Sequence, residues 1–222
     1  MAAGEGRRLR PVTERWPKPV LPIDGRPVLA TLLRELAAAA LGPVWLVTGH
    51  LAEQVEALAG DGAAFGLDIR VVRQPGVLGS ADAVARAVEA GATVPLLITA
   101  ADTAFRPGDV GRFRAAFERG AVAGAIAVRR DPPPGPGRLG LSVRDGLVER
   151  IGAESPLSGA PLWALGPEVV ALLRCDREPY ELESSFRAAL ARGQRIAAVE
   201  IGKTRDLTDP LDLVEENFTY LR

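Results

Sequence analysis

Short apolar runs alternate with helix-length amphipathic segments along almost the whole chain, and this alternation constrains the fold more than any other feature. The apolar runs predict strands at residues 44–48, 68–73, 94–99, 121–128, 139–143, 147–151, 161–165 and 196–201. The segments between them predict helices at residues 28–41, 51–59, 80–90, 109–119, 167–173, 182–192 and 210–221. Such alternation is typical of βαβ units on a parallel sheet.

The element order predicts an α/β fold: a single Rossmann-like domain over residues 1–222, with three α/β/α layers and a mostly parallel central sheet. The proline- and glycine-rich stretch at residues 131–138 cannot form a helix or a central strand. We therefore expect a loop there, which divides the domain into a half over residues 1–130 and a smaller, more β-rich half over residues 131–222.

Composition excludes several classes of protein. The chain has 27 Lys and Arg residues against 28 Asp and Glu, so it has no strong basic field of the kind that nucleic-acid binders need. One cysteine, Cys175, excludes a disulfide framework, and one histidine, His50, excludes a multi-histidine metal site. No apolar run reaches the roughly 18–20 residues of a membrane span. We expect a cytoplasmic protein without nucleic-acid or membrane partners, either a monomer or a small homo-oligomer.

The first 27 residues carry the densest cluster of features suited to binding phosphate. Gly4 and Gly6 allow close approach of the backbone to a ligand, and Arg7 and Arg8 follow at once. Lys18 lies between two prolines, and only two of the 27 basic residues are lysines. A glycine turn with clustered cations favours a polyphosphate site. A solvated arginine-rich tail is the alternative interpretation of the same residues.

The complete pattern resembles the signature of the sugar-1-phosphate nucleotidylyltransferases, which belong to the GT-A-like NTP transferases. The matching segments are AAGEGRRLRPVT, WPKPVL and DGRP near the start, QPGVLGSADA at residues 74–83, ITAAD ending at Asp102, SGAPLWAL at residues 158–165 and DLTDPLDLVEENFTYL at residues 206–221. They occur in the family's order and span nearly the whole chain. A molybdopterin-type guanylyl- or cytidylyltransferase fits the spacing of PVTERWPKPVL less well.

The resemblance implies roles for individual residues. Arg8 and Lys18 are the predicted catalytic cations, at the β- and γ-phosphates and near the α-phosphate. The predicted nucleotide-binding residues are Ala3, Gly4, Gly6, Arg7, Gln74, Gly79 and Ser80. Asp102 and Asp206 are the predicted Mg²⁺ ligands, and carboxylate oxygens suit this cation. Alternatively, Asp102 caps a helix or turn, and Asp206 belongs to an acidic turn with Asp209.

The implied reaction transfers NMP from an NTP to a sugar 1-phosphate, with release of pyrophosphate and formation of an NDP-sugar. UTP or dTTP is favoured because the amide of Gln74 suits the imide edge of uracil or thymine. The half over residues 131–222 would then bind the acceptor. The alternatives are a cytidylyltransferase acting on a small phospho-alcohol or phosphonate, and a catalytically weak nucleotide-binding relative.

The match departs from the family at four places. A core strand of apolar residues precedes the family's glycine turn, whereas Met1 stands at the end of that position here, so we expect either a start upstream of Met1 or a sheet without this strand. Arg7 replaces Thr or Ser, and Ala101 replaces the glycine before the metal-binding aspartate. No Glu-Lys-Pro motif precedes the segment at residues 158–165, which leaves the acceptor open.

Overall fold

The computed structural model describes residues 1–130, 139–152 and 154–218, so the predicted loop at residues 131–138 lies outside the described part. The strands are β1 (Pro22–Ile23), β2 (Arg26–Pro27), β3 (Val44–Thr48), β4 (Ile69–Arg73), β5 (Leu96–Thr99), β6 (Thr103–Ala104), β7 (Gly124–Arg129), β8 (Leu141–Arg144), β9 (Leu147–Ile151), β10 (Ser158–Leu165), β11 (Ile196–Glu200) and β12 (Arg205–Asp206). The α-helices are α1 (Val28–Ala38), α2 (Ala52–Ala59), α3 (Ser80–Glu89), α4 (Asp109–Arg119), α5 (Pro167–Val170), α6 (Leu182–Ala191) and α7 (Pro210–Glu215). Each predicted strand and helix is present, and most ends differ by a few residues. The last helix ends at Glu215, six residues before its predicted end, and residues 219–221 of that prediction lie outside the described part.

Helix positions follow from periodicity and end signals in the sequence. In α1, Leu29, Leu32, Leu33 and Leu36 recur at helical spacing and are all buried. The last helix begins with a capping box, in which the Asp209 carboxylate accepts from the backbone of the first turn. No helix in the described part is both long enough and apolar enough to cross a membrane.

The sheet is mixed, which corrects the expectation of a mostly parallel one. Six strands pair in the order β5-β10-β7-β11-β9-β8, and within this sheet only β7 and β11 are parallel. Strand β10 runs antiparallel between β5 and β7, because it enters from the β-rich half of the chain rather than through a βαβ crossover. Strands β3 and β4 form a separate parallel pair. The predicted α/β class is confirmed.

Helices cover both faces of the central sheet, as the three-layer prediction requires. Alternate residues of β7 belong to different core clusters. Ala125 and Ala127 pack on the side of α1 and α4, whereas Ile126 and Val128 pack on the side of α3 and α6. Every residue of β7 is buried. The strand therefore lies at the centre of the domain.

Residues 1–3 occupy the space between β3 and β5. Ala2 pairs in parallel with Thr48, and its N–H donates to the Val47 carbonyl at 2.7 Å. The Met1 amine donates to the Thr99 carbonyl at 2.8 Å. The start of the chain is thus built into the fold, and it delivers the glycine turn to the carboxyl ends of both strands.

Candidate active site

A cleft of about 410 Å³ opens at the carboxyl ends of β4 and β5. Its volume lies within the range of small-molecule sites, about 300–1,000 Å³. The N-terminal loop, the β4–α3 loop and the end of β5 contribute its walls. The predicted site residues that line it are Ala3, Gly4, Gly6, Arg7, Arg8, Lys18, Gln74, Gly79, Ser80 and Asp102. Asp206 is absent from this lining and pairs with Thr103, the residue after Asp102.

The glycine turn needs glycine at position 6. Gly6 has φ 64°, in the left-handed region that favours glycine. A Cβ atom there would lie 2.9 Å from Thr13 Cγ2 and 3.0 Å from Lys18 Cγ. The Thr13 hydroxyl donates to the Gly6 carbonyl at 2.9 Å. The turn therefore packs against Lys18, the predicted catalytic lysine.

The two arginines of the turn differ in their surroundings. Arg7 Nε donates to Glu5 Oε2 at 2.7 Å, and this hydrogen bond lowers the pKa of Glu5. Both side chains are solvent-accessible, so the pair contributes little to stability. Arg8 lines the cleft and is exposed. Arg8 can thus meet an incoming phosphate directly, whereas Arg7 would first have to leave Glu5.

Lys18 joins three segments that are remote in sequence. Its Nζ donates to the Leu207 carbonyl at 2.8 Å and lies 3.5 Å from Asp102 Oδ2. The side chain is only 14% exposed, and its stem packs against Gly6. The ammonium is therefore fixed between the N-terminal loop, the end of β5 and the segment that follows Asp206.

The two predicted metal ligands come together through a short strand pair. Strands β6 and β12 pair so that Asp206 lies opposite Thr103, the residue after Asp102. The Thr103 hydroxyl donates to Asp206 Oδ1 at 2.7 Å, and the Thr204 hydroxyl donates to Oδ2 at 3.0 Å. Burial raises the pKa of Asp206, and the charge of nearby Asp102 raises it further. A cation between the two carboxylates would oppose both effects.

Arg129 is a site residue that the sequence interpretation missed. It ends β7 in a buried run, and its Nη1 donates to Asp206 Oδ2 at 3.0 Å and also to Thr204. Burial lowers the pKa of Arg129, whereas Asp206 raises it. Its Nε has no hydrogen-bond partner among the described residues. One signal was available, since an arginine at the end of an otherwise apolar strand needs a buried partner.

Gln74 is held in one orientation by a buried carboxylate. Its Nε2 donates to Asp82 Oδ2 at 2.9 Å and to the Gly79 carbonyl at 3.0 Å. Both partners accept only, so the amide nitrogen must face them. Gln74 Oε1 has no partner in the described part of the chain, and the residue lines the cleft. Gln74 therefore offers the cleft a hydrogen-bond acceptor.

The Asp82 carboxylate accepts hydrogen bonds from three side chains. Burial alone would raise its pKa, but hydrogen bonds from Gln74, Arg86 and Arg174 outweigh this and lower it. Arg86 Nε and Arg174 Nη2 each lie 2.7 Å from the carboxylate. The charge of Asp82 is thus retained in a buried position, and the amide of Gln74 is fixed with it. Asp82 was not among the predicted site residues.

The turn before α3 is tied to α6. At Gly79, with φ 97°, a Cβ would lie 2.2 Å from the Tyr180 carbonyl oxygen, so only glycine fits. The Ser80 hydroxyl hydrogen-bonds to the Glu181 carboxylate and accepts from the Leu182 N–H at 2.9 Å. In this arrangement Ser80 serves the packing of two helices. A direct contact of its hydroxyl with a base would need one of these bonds to open.

The departures from the family pattern have local explanations. Ala101 does not have positive φ, so a side chain is tolerated before Asp102. Asp102 caps no helix, because α4 begins after Gly108, whereas Asp209 caps α7. The helix-capping alternative therefore applies to Asp209 and not to Asp102, which lies in a turn after β5.

The chemistry of the donors suits Mg²⁺. Asp102 and Asp206 supply carboxylate oxygens, and Mg²⁺ usually takes one or two protein carboxylates together with phosphate and water oxygens. No group of three or more His, Cys, Asp or Glu side chains that could hold a metal occurs among the described residues. A cation held by two carboxylates and by the phosphates of a substrate fits this arrangement.

Together, the fold and the cleft define an α/β protein with a glycine turn, cations and paired carboxylates at the carboxyl end of its sheet, as in proteins that bind nucleoside phosphates. The chain belongs to the family of the MobA-like NTP transferase domain, whose model matches residues 1–195. The predicted membership among the NTP transferases is confirmed.

Characterised relatives differ in base and acceptor. Glucose-1-phosphate thymidylyltransferase of Streptomyces antibioticus is 43% identical over 84 residues, 38% of this chain and 24% of that protein. CMP-5'-(3-aminopropyl)phosphonate synthase of Streptomyces rubellomurinus is 37% identical over 131 residues, 58% of this chain and 20% of that protein. The matches thus span only a quarter or less of the length of these two relatives. The inositol-1-phosphate CTP transferase of T. maritima superposes with a TM-score of 0.82 at 19% identity, covering 95% of this chain and 88% of that one, which shows a shared fold.

Proposed function

We propose that the protein is a Mg²⁺-dependent nucleotidylyltransferase that transfers NMP from UTP or dTTP to a sugar 1-phosphate. The observation that carries the proposal is the position of Lys18. Its ammonium lies between Asp102 and the carbonyl next to Asp206, at one end of a cleft whose walls hold the glycine turn and Gln74. This chemistry requires cations for the phosphates, carboxylates for the metal and a hydrogen-bonding group for the nucleobase.

The proposed step is a single displacement at phosphorus. A phosphate oxygen of the acceptor attacks the α-phosphorus of the NTP, the bond from that phosphorus to the β-bridging oxygen breaks, and pyrophosphate leaves. Both reactants are anionic, so the protein contributes position and positive charge rather than a nucleophile. Lys18 would neutralise charge at the α-phosphate, and Arg8 would hold the leaving pyrophosphate.

A bound Mg²⁺ would neutralise the phosphate oxygens and orient the triphosphate. Asp102 and Asp206 would hold it. Thr103 and Thr204 orient the Asp206 carboxylate through their hydroxyls. Burial raises the pKa of Asp206, and Arg129 would partly offset this rise because its guanidinium favours the ionised carboxylate.

The preference for UTP or dTTP rests on Gln74. Its Oε1 is the hydrogen-bond acceptor that Gln74 presents to the cleft, and the imide N–H of uracil or thymine can donate to it. The amino group of cytosine could reach the same acceptor. The selectivity of Gln74 would therefore come from the position of the base donor rather than from the amide alone.

A second candidate keeps the chemistry and changes the acceptor. The chain has two lysines, Lys18 and Lys203, and neither lies just before the segment at residues 158–165, where the resemblance implies a lysine that holds the acceptor phosphate. The relative of Streptomyces rubellomurinus is named for a CMP-phosphonate product. A cytidylyltransferase for a small phospho-alcohol or phosphonate is thus the alternative.

A pyrophosphate-release screen of four NTPs against sugar 1-phosphates, phospho-alcohols and phosphonates, with and without Mg²⁺, tests the proposal. We expect the highest rate with UTP or dTTP and a sugar 1-phosphate, dependent on the metal. A highest rate with CTP and a phosphonate would favour the second candidate. Absence of release across the panel, together with NTP binding, would leave a catalytically weak nucleotide-binding protein.

A further inference from the structure

A segment from the second half of the chain lies against the loop that carries Gln74. It comprises residues 174–181, which lead from the turns after α5 to the start of α6, and we call it the strap. The Tyr180 N–H donates to the Leu78 carbonyl at 2.8 Å, and the Ala81 N–H donates to the Tyr180 carbonyl at 2.8 Å. One end of the strap is therefore attached by its backbone to the turn before α3.

The other end of the strap holds α3 through the side chain of Arg174. Its Nε donates to Asp82 Oδ1 at 2.8 Å, and its Nη2 lies 2.7 Å from the same oxygen. Its Nη1 donates to Glu89 Oε1 at 2.5 Å. All three guanidinium nitrogens thus bind carboxylates of α3, and the plane of the guanidinium is fixed by them.

The two oxygens of the Asp82 carboxylate have different partners. Oδ1 accepts from Arg174, whereas Oδ2 accepts from Gln74 Nε2 at 2.9 Å and from Arg86 Nε at 2.7 Å. The side chain of Asp82 is only 3% exposed, so water does not replace a lost donor easily. Because two nitrogens of Arg174 occupy Oδ1, the carboxylate is held with Oδ2 toward Gln74.

The backbone of Arg174 has a conformation that favours glycine. Its φ is 57°, in the left-handed region, which is unfavourable for a residue with a Cβ atom. Glycine would therefore be the easier residue at this turn. The contacts of the guanidinium with Asp82 and Glu89 explain why an arginine is found there instead.

The position of Asp82 Oδ2 decides which atom of Gln74 faces the cleft. With Nε2 bound to Asp82 and to the Gly79 carbonyl, Oε1 is presented to the cleft. A flipped amide would place Oε1 against two acceptors and leave both without this donor. It would also present an N–H to the cleft, which suits the N3 acceptor of cytosine rather than the imide N–H of uracil or thymine.

We propose that Arg174 is a positioning residue that sets the selectivity for uracil or thymine over cytosine, acting through Asp82 on Gln74. This inference rests on the proposed function, because it concerns the nucleobase of that reaction. Arg174 is not among the described residues that line the cleft, so it acts without touching the nucleotide. Arg86 provides a comparison, since it also pairs with Asp82 but shares Oδ2 with Gln74 and leaves Oδ1 to Arg174.

The positioning step can be tested in the protein without nucleotide. Solvent exchange of the Gln74 side-chain amide protons, measured by NMR and assigned from their loss in Gln74→Glu, reports the hydrogen bonds of Nε2. We expect this exchange to become about tenfold faster in Arg174→Met. The matched control is Arg177→Met, which removes a positive charge from an exposed position of the same strap and should leave the exchange unchanged.

The effect on selectivity is the ratio of the affinity for UTP to the affinity for CTP, which calorimetry measures without turnover. We expect this ratio to fall about fivefold in Arg174→Met and to change less than about twofold in Arg86→Met, which removes the same charge from Asp82 but keeps Oδ1 bound. Absence of turnover with every NTP in the unsubstituted protein would contradict the proposed function. Exchange of the Gln74 amide would still decide whether Arg174 positions it.

Unchanged exchange and an unchanged affinity ratio in folded Arg174→Met would overturn the proposal. Equal changes in Arg86→Met or Arg177→Met would overturn it too, because charge in general would then be responsible. If Arg174→Met does not fold, Arg174→Lys takes its place. The single nitrogen of lysine cannot hold Oδ1 from two positions, so we expect faster exchange and a lower ratio in this variant as well, and unchanged values of both would overturn the proposal.

Discussion

Replacing Lys18 by arginine should abolish most of the activity although the positive charge is kept. The ammonium donates to the Leu207 carbonyl at 2.8 Å and lies 3.5 Å from Asp102, and its stem packs against Gly6. A guanidinium is planar and wider, and it needs room in one plane for its donors. With the side chain 14% exposed, that room is not available without displacing Gly6 or the Leu207 segment.

The expected loss follows from the preorganised position of the charge. Removing one such contact costs about 10²–10³ in rate, or about 2.7–4 kcal/mol of activation free energy. Lys18→Met should reduce the rate by a similar factor. It should also leave the Leu207 carbonyl without its donor, which costs about 1–3 kcal/mol of stability. The ion pair with Asp102 adds little, since that carboxylate is 31% exposed.

The assay is metal-dependent release of pyrophosphate, measured for Lys18→Arg, Lys18→Met and the control Lys203→Arg. The control changes the other lysine of the chain, which is exposed. Urea unfolding of each variant separates a loss of activity from a loss of folded protein. We expect kcat/KM to fall at least a hundredfold in both Lys18 variants and to change less than threefold in the control.

Unchanged kcat/KM in folded Lys18→Arg would refute the role assigned to this residue. A fall that the control shares equally would also refute it, because charge in general and not the position of Lys18 would then govern the rate.

Three further predictions concern buried charges. Asp206→Asn should lower the free energy of unfolding by about 3 kcal/mol, because the buried Arg129 loses its charged partner. Adding Arg129→Met should restore stability, as measured by urea unfolding, without restoring activity. Asp82→Ala should allow the amide of Gln74 to rotate, because it removes one of the two hydrogen-bond acceptors of Nε2. The ratio of kcat/KM for UTP to kcat/KM for CTP should then fall about tenfold. An unchanged ratio would show that Asp82 does not set selectivity. Burial lowers the pKa of the Met1 amine to about 6 from an ordinary value of 8.0, so the unfolded chain binds more protons between these values. The free energy of unfolding should therefore rise by about 2 kcal/mol from pH 6 to pH 8, and acetylation of the amine should abolish this rise.

The local parts of the fold could be predicted because their signals lie close together in sequence. The leucines of α1 follow one helical period, and β3 is a five-residue apolar run, so neither depends on distant residues. The direction of β10 could not be predicted in the same way. An apolar run indicates a buried strand but carries no information about which neighbour it joins or in which sense.

In the candidate site too, the residues that are close together in sequence could be predicted to meet, and the remote ones could not. The glycine turn and the Pro-Lys-Pro segment are contiguous, so the sequence alone placed Gly6 and Lys18 near each other, and steric contact between them explains the need for glycine. The predicted metal ligands could be named but not brought together, because they are 104 positions apart and meet through the pairing of β6 with β12.

By itself, then, the sequence determined the succession of strands and helices, the phosphate-side turn and the family to which the chain belongs, because these depend on residues that are neighbours along the chain. Tertiary structure decided the rest. Arg129 beside Asp206 and Asp82 behind Gln74 are contacts that only folding brings about. Buried charges and open strand edges must find partners through space, and sequence periodicity does not record where those partners lie.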